Sequence, residues 1–178
     1  MRTQHTTQEK GIVLLEAIVA IGVLVMIAGA VLVLVIRSTS GTRSATDQLT
    51  ATYLAQDVAE WLVAKKQYNI KNNVDWHTEM QCGVGTECGV DTNDLADLQD
   101  CTSLNACALF RDATTGLYSH TLFGNVPTPY VRKVTGINAS SDLNANGILD
   151  NITYTITVSW TNGARTESLP LTLTLYED

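Results

Sequence analysis

The sequence predicts an α+β chain in which one long N-terminal helix packs, through its rear half, on a small antiparallel sheet. Three observations carry this. Ala17 to Ile36 contains no charged residue, and about 20 apolar residues rising about 1.5 Å each cross the hydrocarbon of a bilayer. Beyond that run, Ala51, Leu54, Val58, Trp61 and Leu62 recur at helical spacing, with Gln56, Asp57 and Glu60 on other faces. Near the C-terminus, Ile152, Tyr154, Ile156, Val158 and Trp160 alternate with Thr153, Thr155, Thr157 and Ser159, the period of a strand with one buried and one wet face.

A chain of 178 residues has room for one ordinary globular domain and an appended element. Its formal charge of −7 with only 11 Lys and Arg, and its pI near 4.8, argue against nucleic-acid binding, which needs clustered cations to neutralise phosphates. The apolar run has basic residues before it (Arg2, Lys10) and after it (Arg37, Arg43), so flanking charge gives little orientation. The cysteines give more. Cys82, Cys88, Cys101 and Cys107 all follow the run in a loop-rich region, an arrangement suited to disulfides in an oxidising compartment, which puts the C-terminal head outside the cytoplasm. Four cysteines allow three connectivities. The repeated C-x5-C spacing favours two local bridges, Cys82 to Cys88 and Cys101 to Cys107. A zinc site with four thiolates is the rival, although the usual C-x2-C knuckles are missing.

The apolar run is too long for a secretory signal core and lacks a small-residue cleavage site at its far end. The sequence continues as helix through "RSTSGTRSATDQLTATYLAQDVAEWLVAKKQYN". Helix from Ile12 to Lys65 is about 80 Å long, so only its front half fits in lipid. Gly22, Gly29 and Gly41 each weaken it by about 1 kcal/mol relative to alanine. Ser38 to Thr42 is the expected weak point, and two helices joined there are the alternative.

Within "QEKGIVLLEAIVAIGVLVMIAGAVLVLVI", Glu16 is the one charge in the apolar run after Lys10, and an unpaired carboxylate in hydrocarbon costs about 2.5 kcal/mol or more. The order Lys10, Gly11, Ile12, Val13, Leu14, Leu15, Glu16, followed by about twenty apolar residues, resembles the class III signal of type IV pilins and type II secretion pseudopilins. "TYLAQDVAEWLVAKKQYN" is similar to the amphipathic helix of minor pilins. The resemblance implies cleavage after Gly11 by a prepilin peptidase and methylation of the new amine on Ile12. It implies four segments: a leader over 1–11, a transmembrane and filament-core helix over 12–36, its amphipathic extension over 37–69, and an exported β-rich head over 70–178. It also implies that Glu16 of one subunit pairs with the Ile12 amine of its neighbour and sets axial register. The chain departs from the family pattern in having Ile12 rather than Phe or Met after the cleavage point, and in having no proline before Pro127.

After Asn69 the composition shifts to Gly, Asn, Asp and Thr. Residues 70–107 read as a long loop tethered by the cysteines, with at most a short helix near Asp94 to Leu98. Asp91, Asp94, Asp97 and Asp100 read as a solvated acidic face. "CALFRDATTGLYSH" predicts two short strands around a Thr-Gly turn, and "YVRKVTGI" a third. Asn162 and Gly163 are a type I′ turn signal, and Leu169, Leu171, Leu173 and Leu175 alternate along the return strand. Pro170 on the polar parity suits an edge strand or a bulge. An apolar sheet face covered by Leu54, Val58, Trp61 and Leu62 resembles the pilin fold. In "DLNANGILD", Asp142, Asn144, Asn146, Gly147 and Asp150 resemble the start of a calcium loop, with Thr153 where the final bidentate Glu belongs. The same residue types dominate ordinary turns, so Ca2+ is a candidate ligand rather than a required cofactor.

No catalytic constellation is legible: His5, His77 and His120 are isolated, with His77 and His120 read as surface or loop residues, and no nucleophile or phosphate-cradle motif is present. No enzymatic activity is expected. The resemblance implies a structural subunit of a type IV pilus, minor by the likeness of its helix. A pseudopilin of a type II secretion system is the alternative, and a single-pass membrane receptor with an acidic binding head is the alternative of another class. The implied partners are prepilin peptidase, other pilin subunits with the pilus assembly machinery, and inner-membrane lipid before assembly. The implied location is the inner membrane with the head outside the cytoplasm, then an extracellular filament.

Overall fold

The computed structural model describes residues 6–81, 86–93, 97–103, 105–137, 150–163 and 165–177. Helix α1 is assigned without interruption over Thr6–Lys71. The Ser38 to Thr42 stretch, expected to be weak, stays helical. Thr39 Oγ1 donates to the carbonyls of Val35 and Ile36, and Thr42 Oγ1 to that of Ser38, so these hydroxyls bond back into the helix. The helix ends at Lys71, and Asn73, at φ 55°, turns the chain away in the left-handed conformation common after a helix. Two compact units result, Met1–Ala45 and Thr46–Asp178.

In the second unit the strands are β1 (Cys88–Gly89), β2 (Gln99–Asp100), β3 (Ala108–Arg111), β4 (Tyr118–Ser119), β5 (Val126–Ile137), β6 (Asn151–Asn162) and β7 (Arg165–Tyr176), joined in one antiparallel sheet. β5 is its hub. One edge pairs with β6 from Tyr130↔Trp160 to Ile137↔Thr153, and the other takes β3 and, at Val134, β1. β6 and β7 run in register from Asn151↔Tyr176 to Asn162↔Arg165. The loop between them therefore starts at Gly163, one residue later than the Asn-Gly signal predicts. Gly163, at φ 64°, takes its first place, while Asn162 remains in the ladder. Pro170 lies on β7, the edge strand, where a missing amide donor is tolerated.

The expected strand parity places the core. Ile152, Tyr154, Ile156, Val158 and Trp160 are all buried, Leu175 with them, and Leu169, Leu171 and Leu173 pack against the same cluster. Ala51, Leu54, Ala55, Val58, Trp61 and Leu62 of α1 belong to that cluster, so one helix stripe covers one sheet face. Burial of each large side chain contributes about 1.5–3 kcal/mol. The β3–β4 hairpin turns as expected: Asp112 Oδ1 accepts the amides of Thr114 and Thr115, and Gly116 adopts φ 77°. The loop reading of residues 70–107 misses β1 and β2, which are two residues each and carry no periodicity.

Candidate functional site

Two regions carry the candidate residues, the apolar front of α1 and the head with its long loop. In the first, every described side chain from Val13 to Thr39 is exposed. This is the one helix, among the described residues, long and apolar enough to cross a membrane; its most apolar stretch has a mean hydropathy of 3.1 and none of it is buried within the chain. A helix apolar on all faces needs lipid or other helices around it. Gly11 and Ile12 lie within α1, and the Ile12 side chain is not among those described. Glu16 is exposed. While Gly11 and Ile12 are joined, the Ile12 nitrogen is a neutral peptide amide, so a cation for Glu16 at that position exists only after the bond is cut.

In the head, sequence reasoning misses the central polar contact. Arg132 is fully buried. Its Nη1 donates to Asp57 Oδ2 at 2.9 Å and its Nη2 to the Val90 carbonyl at 2.9 Å. Thr92 Oγ1 donates to the same Asp57 oxygen. One guanidinium thus joins β5, α1 and the loop after β1. Its parity is the available signal: Tyr130, Arg132 and Val134 alternate onto the core face.

The loop following α1 is anchored by its own polar contacts. Asn69 Nδ2 donates to the carbonyls of Trp76 and Thr78, and the Tyr154 hydroxyl donates to that of Met80 at 3.0 Å. Lys65 bridges Glu79 at 2.8 Å and Asp97 at 3.3 Å; the Lys65 bond is the main cause holding the Glu79 carboxyl below its usual range. The acidic cluster is therefore more than a solvated face. Asp91 Oδ1 accepts from Asn93, Asp97 pairs with Lys65, and Asp100 Oδ1 accepts the Thr102 amide at 2.7 Å and its hydroxyl at 2.8 Å. Those Thr102 bonds lower the Asp100 pKa, the amide foremost. Asp94 lies outside the described residues, as does most of the short helix expected near it.

Cys101 and Cys107 are joined, which excludes both crossed connectivities and a four-thiolate zinc site. Cys88 is also disulfide-bonded; Cys82 lies outside the described residues. The Cys101–Cys107 bridge closes a 3-10 turn, Asn105–Cys107, in which all three residues have positive φ (49°, 55° and 59°), a conformation that persists only under external restraint. His120 packs beside it. It lies in the loop after β4 but is buried rather than at the surface, with Nδ1 3.0 Å from the Ala108 carbonyl. Burial first, and then the charge of Arg132, push its pKa down.

Of the candidate calcium loop, Asp142, Asn144 and Asn146 lie outside the described residues. Asp150 is described, and its carbonyl accepts the Glu177 amide at 2.8 Å. Thr153, at the place of the loop's last ligand, lies in β6 with Oγ1 3.0 Å from Thr174 Oγ1. Among the described residues no group of three or more His, Cys, Asp or Glu could hold a metal ion. Comparison of the chain with protein-family models, with curated proteins and with solved structures gives no match.

Proposed function

We propose that this chain is a structural subunit of a type IV pilus, processed after Gly11 by a prepilin peptidase and polymerised through the front of α1. The observation that carries the reading is the combination, on one helix, of an unburied apolar surface from Val13 to Ile36 with a lone carboxylate at Glu16. In the inner membrane that surface is covered by lipid; in a filament it is covered by the same helix of other subunits. The Ile12 amine released by cleavage supplies the missing cation, and methylation keeps its charge. A buried ion pair adds little over an apolar contact, whereas removing one partner costs about 3–5 kcal/mol. Glu16 therefore serves register, and the apolar faces serve cohesion. The rear half of the helix, covering the sheet through Leu54, Val58, Trp61 and Leu62, fits a pilin head displayed outside the cytoplasm, where the disulfide is stable.

Co-expression with a prepilin peptidase tests the processing step. Intact mass should show loss of residues 1–11 and one added methyl, abolished by replacing Gly11 with a bulky residue. An uncut chain under the same conditions would favour a single-pass membrane receptor.

A further inference from the structure

The head carries a cleft lined by the rear half of α1, by Thr92 and Asn93, and by Gly116 to Tyr118. Its volume is about 460 Å³, inside the range of about 300–1,000 Å³ of small-ligand sites. Tyr53 and Asp57 of α1 form one wall, and Thr92, Asn93, Leu117 and Tyr118 form the other. Hydrogen bonds within the chain hold the walls. Asn93 Nδ2 donates to the Tyr118 carbonyl at 3.0 Å and to Asp91 Oδ1 at 2.8 Å; both bonds use its amide nitrogen and leave the amide oxygen as an acceptor. The bonds from Arg132 and Thr92 both fall on Asp57 Oδ2, leaving Oδ1 as a second acceptor on a side chain that is half exposed. Beside these acceptors, Tyr53 and Leu117 present apolar surface while being 62% and 56% exposed.

We propose that this cleft binds a neutral saccharide of one or two rings. Sugar hydroxyls are donors for the Asp57 and Asn93 oxygens, and the C–H face of a sugar ring covers the Tyr53 ring and Leu117 without needing hydrogen bonds there. Other ligand classes fit less well. An anion would meet the Asp57 carboxylate with no exposed cation among the lining residues, and a cation would meet a carboxylate already offset by Arg132. A wholly apolar ligand would leave both acceptors desolvated and unpaired, which is unfavourable.

The test uses the full chain in lauryldimethylamine oxide micelles, a detergent without a sugar headgroup. Saturation-transfer difference NMR titrations would use the methyl glycosides of glucose, galactose and N-acetylglucosamine, together with cellobiose, lactose and chitobiose. Saturable transfer is expected from at least one of these probes, weakened about tenfold or more, equivalent to about 1.4 kcal/mol, by Tyr53→Ala and by Asn93→Ala. Tyr53→Phe keeps the ring and should bind close to the parent chain. Unchanged thermal midpoints would show that the variants fold. No saturable transfer from any probe at about 10 mM, a Kd weaker than the millimolar range, would overturn the proposal. So would affinity unchanged in both alanine variants. Neither result depends on whether residues 1–11 are removed, so the outcome is separate from the filament reading.

Discussion

Arg132 Nη1 lies 2.9 Å from Asp57 Oδ2, a contact that fastens the hub strand β5 to the rear half of α1 across 75 residues of sequence. The arginine is fully buried and the aspartate half exposed, so the two ends of this pair respond differently to substitution.

Arg132→Ala should destabilise the head by about 2–5 kcal/mol, because it opens a void in the core and removes the donor to the Val90 carbonyl, while the half-exposed Asp57 carboxylate keeps water and its Thr92 bond. Arg132→Met, which fills the space, should cost less. Urea titrations followed by fluorescence of the buried Trp61 and Trp160 would measure both; equal losses would show that the polar contacts, which both variants lack, and not the filled volume hold the two elements together.

His120 gives the head an acid sensitivity of definite sign. Its pKa is lowered in the fold, by burial and then by Arg132, with Asp91 partly opposing. The neutral ring is thus the folded form. Stability from this group is complete above the ordinary histidine value of about 6.5 and is lost as pH falls below it towards the folded value. Asp100 and Asp112, whose pKa values are lowered chiefly by backbone amides, lose their contributions only at more acid pH. Thermal midpoints should fall between about pH 6.5 and 5 in the parent chain and fall less in His120→Asn, which keeps a donor near the Ala108 carbonyl. Parallel curves for the two proteins would assign the sensitivity elsewhere.

Replacing Cys101 and Cys107 by serine should cost about 2 kcal/mol from loop-closure entropy alone, given their separation of 6 residues. The left-handed run at Asn105, Ala106 and Cys107 should relax as well. Amide hydrogen exchange would then rise at residues 101–107, while the β6–β7 ladder stays protected.

The elements legible in the sequence were those set by local period. β6 alternates from Ile152 to Trp160 and β7 from Leu169 to Leu175, and the α1 stripe repeats through Leu54, Val58, Trp61 and Leu62, so pattern alone identifies the faces that meet. The hairpin loop was displaced by one residue because both Asn162 and Gly163 suit a turn, and the register chose Gly163 for the positive φ. The role of Arg132 and the burial of His120 were not legible for another reason. Their environments are built from Asp57, Val90 and Ala108, residues distant in sequence or on another strand, and no local period records that convergence.

On the filament reading, Glu16→Ala should be cut after Gly11 as efficiently as the parent chain but should enter filaments poorly. Losing one partner of the charge pair costs about 3–5 kcal/mol, enough to disfavour each added subunit by two orders of magnitude or more. Normal incorporation of this variant would remove Glu16 from assembly.

The most direct measurement is the N-terminus and intact mass of the chain recovered from filaments sheared off the surface of cells that produce it. The predicted result is a chain beginning at N-methylated Ile12 in the sheared fraction. A chain absent from that fraction and held in the membrane with residues 1–11 attached would contradict a role as a filament subunit.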